Sequence, residues 1–198
     1  MISILSGSEQ DVAQVSMTNR TGKSERRQVL VVRRSPGKRS RAILSYGSLF
    51  FQAAIGRSGT TTFKREGDGG TPVAEMEVLG GYRRMDRIRF AKGNLSLKSI
   101  GRRDLWCDEP THASYNRPVS VPFKASHEEM RRMDELYDLC IVLDWNLRSR
   151  KRFGGSAIFF HLARPDYSPT AGCVAIRPRD MLRLLPYLRR GSVLKVIR

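Results

Sequence analysis

Residues 155–176 read GSAIFFHLARPDYSPTAGCVAI, and the way this stretch folds decides how the rest is read. Two apolar runs of strand length, GSAIFFHL and CVAI, flank a loop rich in Pro, Ser and charge. As neighbouring strands they would bring His161 and Cys173 onto one face. An imidazole within about 3 Å of a thiol takes its proton, and the pair then supplies a nucleophile and a general acid. Pro169, Thr170 and Gly172 set a tight turn just ahead of the sulfur. Gly172 admits close approach to the backbone, and main-chain N–H groups around Cys173 can converge on one oxygen to stabilise an oxyanion. The competing reading keeps both residues in the core, since cysteine is commonly buried as a small apolar side chain. No acid sits where it would orient His161; a backbone carbonyl can do so through the other ring nitrogen. Asp166 reads as a surface residue. His112 is a candidate to line a cleft, and His127 reads as solvated in the first turn of a helix. No His/Cys/Asp set has ligand spacing, so no metal and no cofactor is expected.

Working outward, QVLVVRR, the turn SPGKRS and RAILSYG read as a hairpin, with SLFFQAAIG as the next strand. RSGTTTFKREGDGGTPVAEM reads as a long loop, YRRMDRIRF and LSLKSI as strands, and 101–123 as irregular with aromatic anchors. SHEEMRRMDELYDL opens with Ser126 and has Glu129 three later, a capping-box pattern that predicts a helix with Met130, Met133 and Tyr137 facing the core. LCIVLDWN reads as a strand, with Cys140 and Trp145 filling the core. PRDMLRLLPYLRRG predicts a second helix, with Leu182, Leu185 and Leu188 on one face, a kink at Pro186 and Gly191 at its C-cap. SVLKVI closes the chain as a strand. Many strands and two short helices without regular alternation exclude a doubly wound sheet and point to a mainly antiparallel β domain with minor α. Residues 1–28 read as a polar, flexible segment and 29–198 as the domain.

The net charge of +17 over 198 residues favours anionic neighbours: nucleic acid, acidic lipid or an anionic wall polymer. Basic residues cluster over 20–41 and again in RSRKRFGG, which reads either as a polyanion-binding face or as a solvated basic surface. No zinc-finger spacing, repeat or aromatic RNA-binding pattern is present, so no specific nucleic-acid partner is expected. The three cysteines lack close-pair metal spacing, and a Cys107–Cys140 disulfide stays open. No apolar run reaches the 18 or so residues of a spanning helix. The opening MISILSGSEQDVAQ lacks the charged and apolar regions of an ordinary secretory signal.

FFHLARPDYSPTAGCVAI resembles the catalytic segment of YkuD-type L,D-transpeptidases, in which a histidine and a loop precede Ser/Thr-x-Gly-Cys and an aliphatic residue. His161, Thr170, Gly172, Cys173 and Val174 match. Thr71 and Pro72 match the family's Thr-Pro loop, and WCDEP, YNRPVSVPF and LYDLCIVLDWN resemble the branch in which such domains stand almost alone. The chain departs from the pattern at Leu162, where many members have Gly, at Ala171, where many have His or Ser, and at Ala175, where many have Arg or Asn.

The resemblance implies a β-sandwich or open barrel with two short helices, Cys173 as nucleophile and His161 as base, supported by Gly172 and Thr170. The family's substrate contacts carry over poorly; Arg177 and Arg164 are candidates by their nearness in sequence to the motif, Tyr115 and Asn116 as residues that could line the cleft, and Thr71 from the Thr-Pro loop. It implies acyl transfer on peptidoglycan stem peptides through a thioester, giving 3→3 cross-links or D-amino acid exchange. The alternatives are an L,D-carboxypeptidase or related cysteine peptidase, and a non-enzymatic basic polyanion-binding protein. A monomer in the periplasm or cell envelope is expected. The acyl acceptor is left open.

Overall fold

The computed structural model describes residues 28–198; the expected polar segment lies outside the described residues except for Gln28. Strands β1 (Val29–Arg34), β2 (Arg41–Tyr46) and β3 (Leu49–Ala54) form the expected meander. Two-residue strands β4 (Thr60–Thr61) and β5 (Thr71–Pro72) pair within the Gly/Thr-rich loop. Then follow β6 (Glu75–Arg83), β7 (Leu97–Ser99), β8 (Asp104–Cys107), β9 (Arg117–Ser120), β10 (His127–Glu129), β11 (Leu139–Leu143), β12 (Phe159–Leu162) and β13 (Val174–Ile176). Helix α1 (Pro178–Leu184), a 3-10 turn over Leu185–Tyr187 and β14 (Val193–Ile197) complete the chain.

The main sheet runs β11-β12-β13-β3-β2-β1-β14-β6, and β6 pairs back onto β11, so eight strands close into a barrel with β7 attached outside β6. Closure removes the two free edges that an open sheet would present. The expected mainly β architecture is borne out, as a closed rather than an open barrel. Most pairings are antiparallel; β1–β14, β12–β13 and β6–β7 are parallel.

Alternation places the core. Leu30 and Val32, Ala42 and Leu44, Phe51 and Ala53, Phe160 and Leu162, and Val174 and Ile176 point inward. Met181, Leu184, Leu185 and Leu188 of the C-terminal helical segment cap that interior. Strands β11 and β12 are buried on both faces. Their outward side chains, among them Cys140, Val142 and Phe159, pack in a second cluster with Trp106, Met130 and Tyr137. Those last three come from β8, from the residue after β10 and from the segment before β11. The three-stranded sheet β10-β8-β9 therefore forms a second layer over one side of the barrel.

Several local expectations are corrected. Residues 126–139 contain no helix: His127–Glu129 pair antiparallel with Leu105–Cys107, and turns follow. The capping-box spelling is overridden by this cross-strand pairing, and Met133 is 92% exposed rather than in the core. The segment expected to be irregular supplies β8 and β9. YRRMDRIRF leaves the sheet after Arg83. The C-terminal helix exists, but Leu182 faces solvent and Met181 and Leu184 carry the apolar face, while Pro186 lies in the 3-10 turn. Cys107 and Cys140 are free thiols, both buried.

Candidate active site

Parallel pairing of β12 with β13 sets Phe160 opposite Val174 and His161 opposite Ala175. Cys173, one residue before β13, therefore stands opposite Phe159, two positions from His161 on the same face. Both side chains line one cleft of about 400 Å³ between the barrel wall and the second layer. They are 7% and 4% exposed, so each reaches solvent only through that cleft. The Cys173 thiol donates to the Ala157 carbonyl at 3.2 Å and accepts the Phe159 amide N–H at 3.3 Å. Its hydrogen bonds are to main chain, and none among the described residues joins it to the imidazole.

His161 is oriented by backbone, as its sequence surroundings suggested. Nδ1 lies 2.9 Å from the Leu162 carbonyl. A carbonyl only accepts, so Nδ1 carries the proton and Nε2 keeps its lone pair. The Tyr137 ring packs edge-on against the imidazole at 5.2 Å between centroids. Burial pushes the His161 pKa down to about 4 and the Cys173 thiol up to about 12. At neutral pH both groups are uncharged.

The Thr-Ala-Gly-Cys turn is tied by one hydroxyl. Thr170 Oγ1 donates to the Cys173 carbonyl at 2.7 Å and accepts the Gly172 N–H at 3.2 Å. Thr71 approaches the same carbonyl from the Thr-Pro loop at 3.4 Å and accepts the Gly56 N–H at 2.9 Å. Gly172 has φ +146°, and a Cβ there would meet the Gly70 carbonyl at 3.0 Å. Glycine at 172 is thus required both by conformation and by the close approach of the 64–72 loop. Because the Gly172 N–H is spent on Thr170, it serves the turn rather than an oxyanion.

The other sequence candidates divide. Arg164 lines the cleft and pairs with Asp134 at 3.3 Å. Arg177 does not line it: its guanidinium lies over the Tyr167 ring at 5.0 Å and donates to the Pro165 carbonyl. Thr71, Tyr115 and Asn116 are buried and do not line the cleft. Tyr115 donates to Glu66, and Asn116 accepts N–H groups from Trp106 and Ala157, bracing the segment ahead of β12 whose Ala157 carbonyl receives the thiol. His112 and His127 pack on Phe123, away from the cleft.

Sequence reading missed Lys64, Glu66, Asp108, Glu128, Arg132 and Tyr137, all of which line the cleft. Arg132 lies over the Tyr137 ring at 5.2 Å and pairs with Asp134 at 2.8 Å. Burial raises the Glu128 pKa, and Tyr137 donates to its carboxylate at 3.4 Å. Glu128, Arg132 and Tyr137 fall in the segment read as a helix that does not form, and Asp108 in the one read as irregular. The signal that could have found Lys64 and Glu66 is their place just ahead of Thr71-Pro72. Among the described residues no group of His, Cys, Asp and Glu is arranged to hold a metal.

The family model of the L,D-transpeptidase catalytic domain, YkuD, matches residues 22–197. The chain belongs to this family. It is an L,D-transpeptidase-type catalytic domain over nearly all of its described length. Among solved structures, Mycobacterium tuberculosis L,D-transpeptidase 1 is similar at 10% identity, with a TM-score of 0.38 over 86% of this chain. The L,D-transpeptidase domain described here spans 62% of that structure's chain. No curated protein sequence matches it.

Proposed function

We propose that this domain transfers acyl groups between peptidoglycan stem peptides, with Cys173 as nucleophile and His161 as the proton carrier. The observation that carries the reading is the pair itself: one thiol and one backbone-oriented imidazole on adjacent strands, facing a single cleft. Because both are neutral at rest, the proton leaves sulfur for His161 Nε2 as the sulfur–carbon bond forms, not before. Sulfur adds to the stem-peptide carbonyl, and the C–N bond to the terminal D-amino acid then breaks. The departing amine takes the proton from Nε2, leaving a thioester on Cys173. An incoming amine adds to the thioester, gives its proton to Nε2, and the thiol is re-formed as the new amide is released. With a stem diamino acid as acceptor the product is a 3→3 cross-link; with a free D-amino acid it is an exchanged stem. Such a substrate puts the site of action in the cell envelope.

Water as acceptor would make the same site an L,D-carboxypeptidase. The test is intact mass after incubation with a carbapenem, a β-lactam that acylates such thiols. One covalent adduct is expected on the native protein and on Cys107→Ala, and none on Cys173→Ala. An adduct that survives Cys173→Ala, or no adduct from pH 6 to 9, would sink the assignment. Muropeptide analysis then separates transfer from hydrolysis by whether dimers or tripeptides accumulate.

A further inference from the structure

Two concave basic pockets border the catalytic cleft, on either side of the β1–β2 turn. One, of about 420 Å³, is lined by Arg34, Arg39 and Arg198 with the hydroxyls of residues 58 and 60–62. The other, also about 420 Å³, gathers Lys38, Arg41 and Arg177 around Tyr167. Chain continuity ties both to the cleft: Arg57 lines the cleft and Ser58 the first pocket, while Arg164 and Ser168 line the cleft and residues 165–167 the second.

None of these six cations forms an ion pair with a carboxylate among the described residues. Arg41, Arg177 and Arg198 spend one N–H each on neutral oxygens, those of Asp166 and Pro165 main chain and the Thr62 hydroxyl. Asp166 is the one acidic side chain lining either pocket; its carboxylate accepts from the Ser168 amide and hydroxyl and is also attracted by Arg41 without forming an ion pair. The arginines pack on neutral neighbours, Arg34 and Arg39 through their stems and Arg41 and Arg177 through their guanidiniums. Arg39 rests on Gly59, where a Cβ would come within 3.1 Å of its Cγ, with Arg34 Cδ at 3.9 Å. Arg41 and Arg177 stack on the Tyr167 ring at 5.2 and 5.0 Å. Like charges fixed side by side repel one another, and pre-positioned guanidinium forks with hydroxyl donors match the oxygens of phosphate groups.

We propose that this shelf binds a linear, phosphate-bearing polymer of the cell envelope and holds the domain against the material that carries its acyl substrate. Two pockets separated by a turn fit repeated phosphates rather than one. Single-stranded nucleic acid fits less well, since neither pocket presents an open ring for base stacking: Tyr167 is 5% exposed beneath its two arginines. Anion binding stands apart from the acyl-transfer reading; only the polymer's location rests on it.

The test is titration of end-labelled inorganic polyphosphate by fluorescence anisotropy over a salt series. Arg34→Ala/Arg39→Ala and Lys38→Ala/Arg177→Ala are each expected to weaken binding about tenfold and to lower the salt slope by about two. Lys92→Ala/Lys98→Ala removes the same charge from exposed positions outside both pockets and is expected to change affinity less than about twofold. Far-UV circular dichroism checks that each variant is folded. Equal weakening by Lys92→Ala/Lys98→Ala, or none by the two pocket pairs, would overturn the shelf. Tighter binding of single-stranded RNA or of phosphatidylglycerol vesicles, lost in the same variants, would overturn the polymer in favour of those ligands. Cys173→Ala is expected to keep full polyphosphate binding, so failure of the acyl-transfer reading registers in a different assay.

Discussion

The Thr170 hydroxyl donates to the carbonyl of Cys173 and at the same time accepts the amide of Gly172, so one side chain closes the turn that presents the thiol. Among the described residues no other side chain spans this turn as tightly; Thr71 reaches the same carbonyl at 3.4 Å. Thr170→Val keeps the shape and removes both bonds. A net hydrogen bond is worth about 1 kcal/mol, and leaving the Gly172 amide unpaired adds to that. The expected result is about a tenfold or greater loss in the rate of carbapenem acylation, followed by stopped-flow fluorescence, with Thr170→Ser restoring most of it. An unchanged rate in Thr170→Val would mean the turn holds itself.

The buried imidazole makes stability depend on pH with a definite sign. His161 titrates near 4 when folded and near 6.5 when unfolded, so between these values the unfolded chain binds the extra proton. Stability is therefore full above about 6.5 and is lost as the pH falls towards 4, by about 3 kcal/mol from this group. Urea titrations across that range are expected to show the slope in the native protein and to lose it in His161→Gln. On the acyl-transfer reading the same protonation removes the base, so the acid limb of acylation should lie near 4 to 5 rather than near 6.5. On the alkaline side, the thiol raised to about 12 makes alkylation of Cys173 at pH 7 slower than that of a free cysteine by about a hundredfold or more.

How much of this was legible depended on whether a residue's partners were near it in sequence. The β1–β2 hairpin was readable because its turn, Ser35–Ser40, and both alternating strands are contiguous. So was the His161–Cys173 relation, because a single loop joins the two strands that carry them. The segment 126–139 was not readable, because its structure comes from β8, some twenty residues earlier, and from the Asp108 amide, which takes the Ser126 carbonyl. Local spelling there favours a helix, and long-range pairing wins. Arg177 departs from expectation for a different reason: its nearness in sequence to the Gly-Cys motif suggested the cleft, but β13 ends at Ile176 and the chain turns into α1.

Arg84 fastens the segment that carries the cleft wall. It is buried, binds the Asp86 carboxylate through two N–H groups at 2.9 and 2.8 Å, and donates to the Arg132 carbonyl at 3.0 Å. Arg84→Ala leaves Asp138, itself buried, facing Arg87 alone and strips the Arg132 carbonyl of its donor. Asp86 is half exposed and keeps Arg131, and Asp138 keeps Arg87, so the loss is that of the acceptors left without their donor, about 1–3 kcal/mol. Chemical denaturation should show a loss of that order, and Arg84→Lys should recover only part of it, because an ammonium cannot reproduce the two-pronged bond.

Tyr137 packs on the imidazole through its ring rather than its hydroxyl, and on the acyl-transfer reading that ring positions the base. The ring meets His161 edge-on at 5.2 Å and Phe159 at 5.8 Å, while the hydroxyl makes only a 3.4 Å bond to Glu128. Tyr137→Phe should therefore keep the acylation rate within about threefold, the loss of one weak hydrogen bond. Tyr137→Leu keeps an apolar filling but removes the flat edge, and is expected to slow acylation about tenfold or more. Tyr137→Ala opens a cavity at a cost of about 3–5 kcal/mol, and water entering it resolvates the imidazole. The acid limb of its pH–rate profile should then move up from near 4 towards 6.5, which a loss of stability alone would not produce. A slow Tyr137→Ala variant whose limb stays near 4 would show that the ring packs the core without tuning His161.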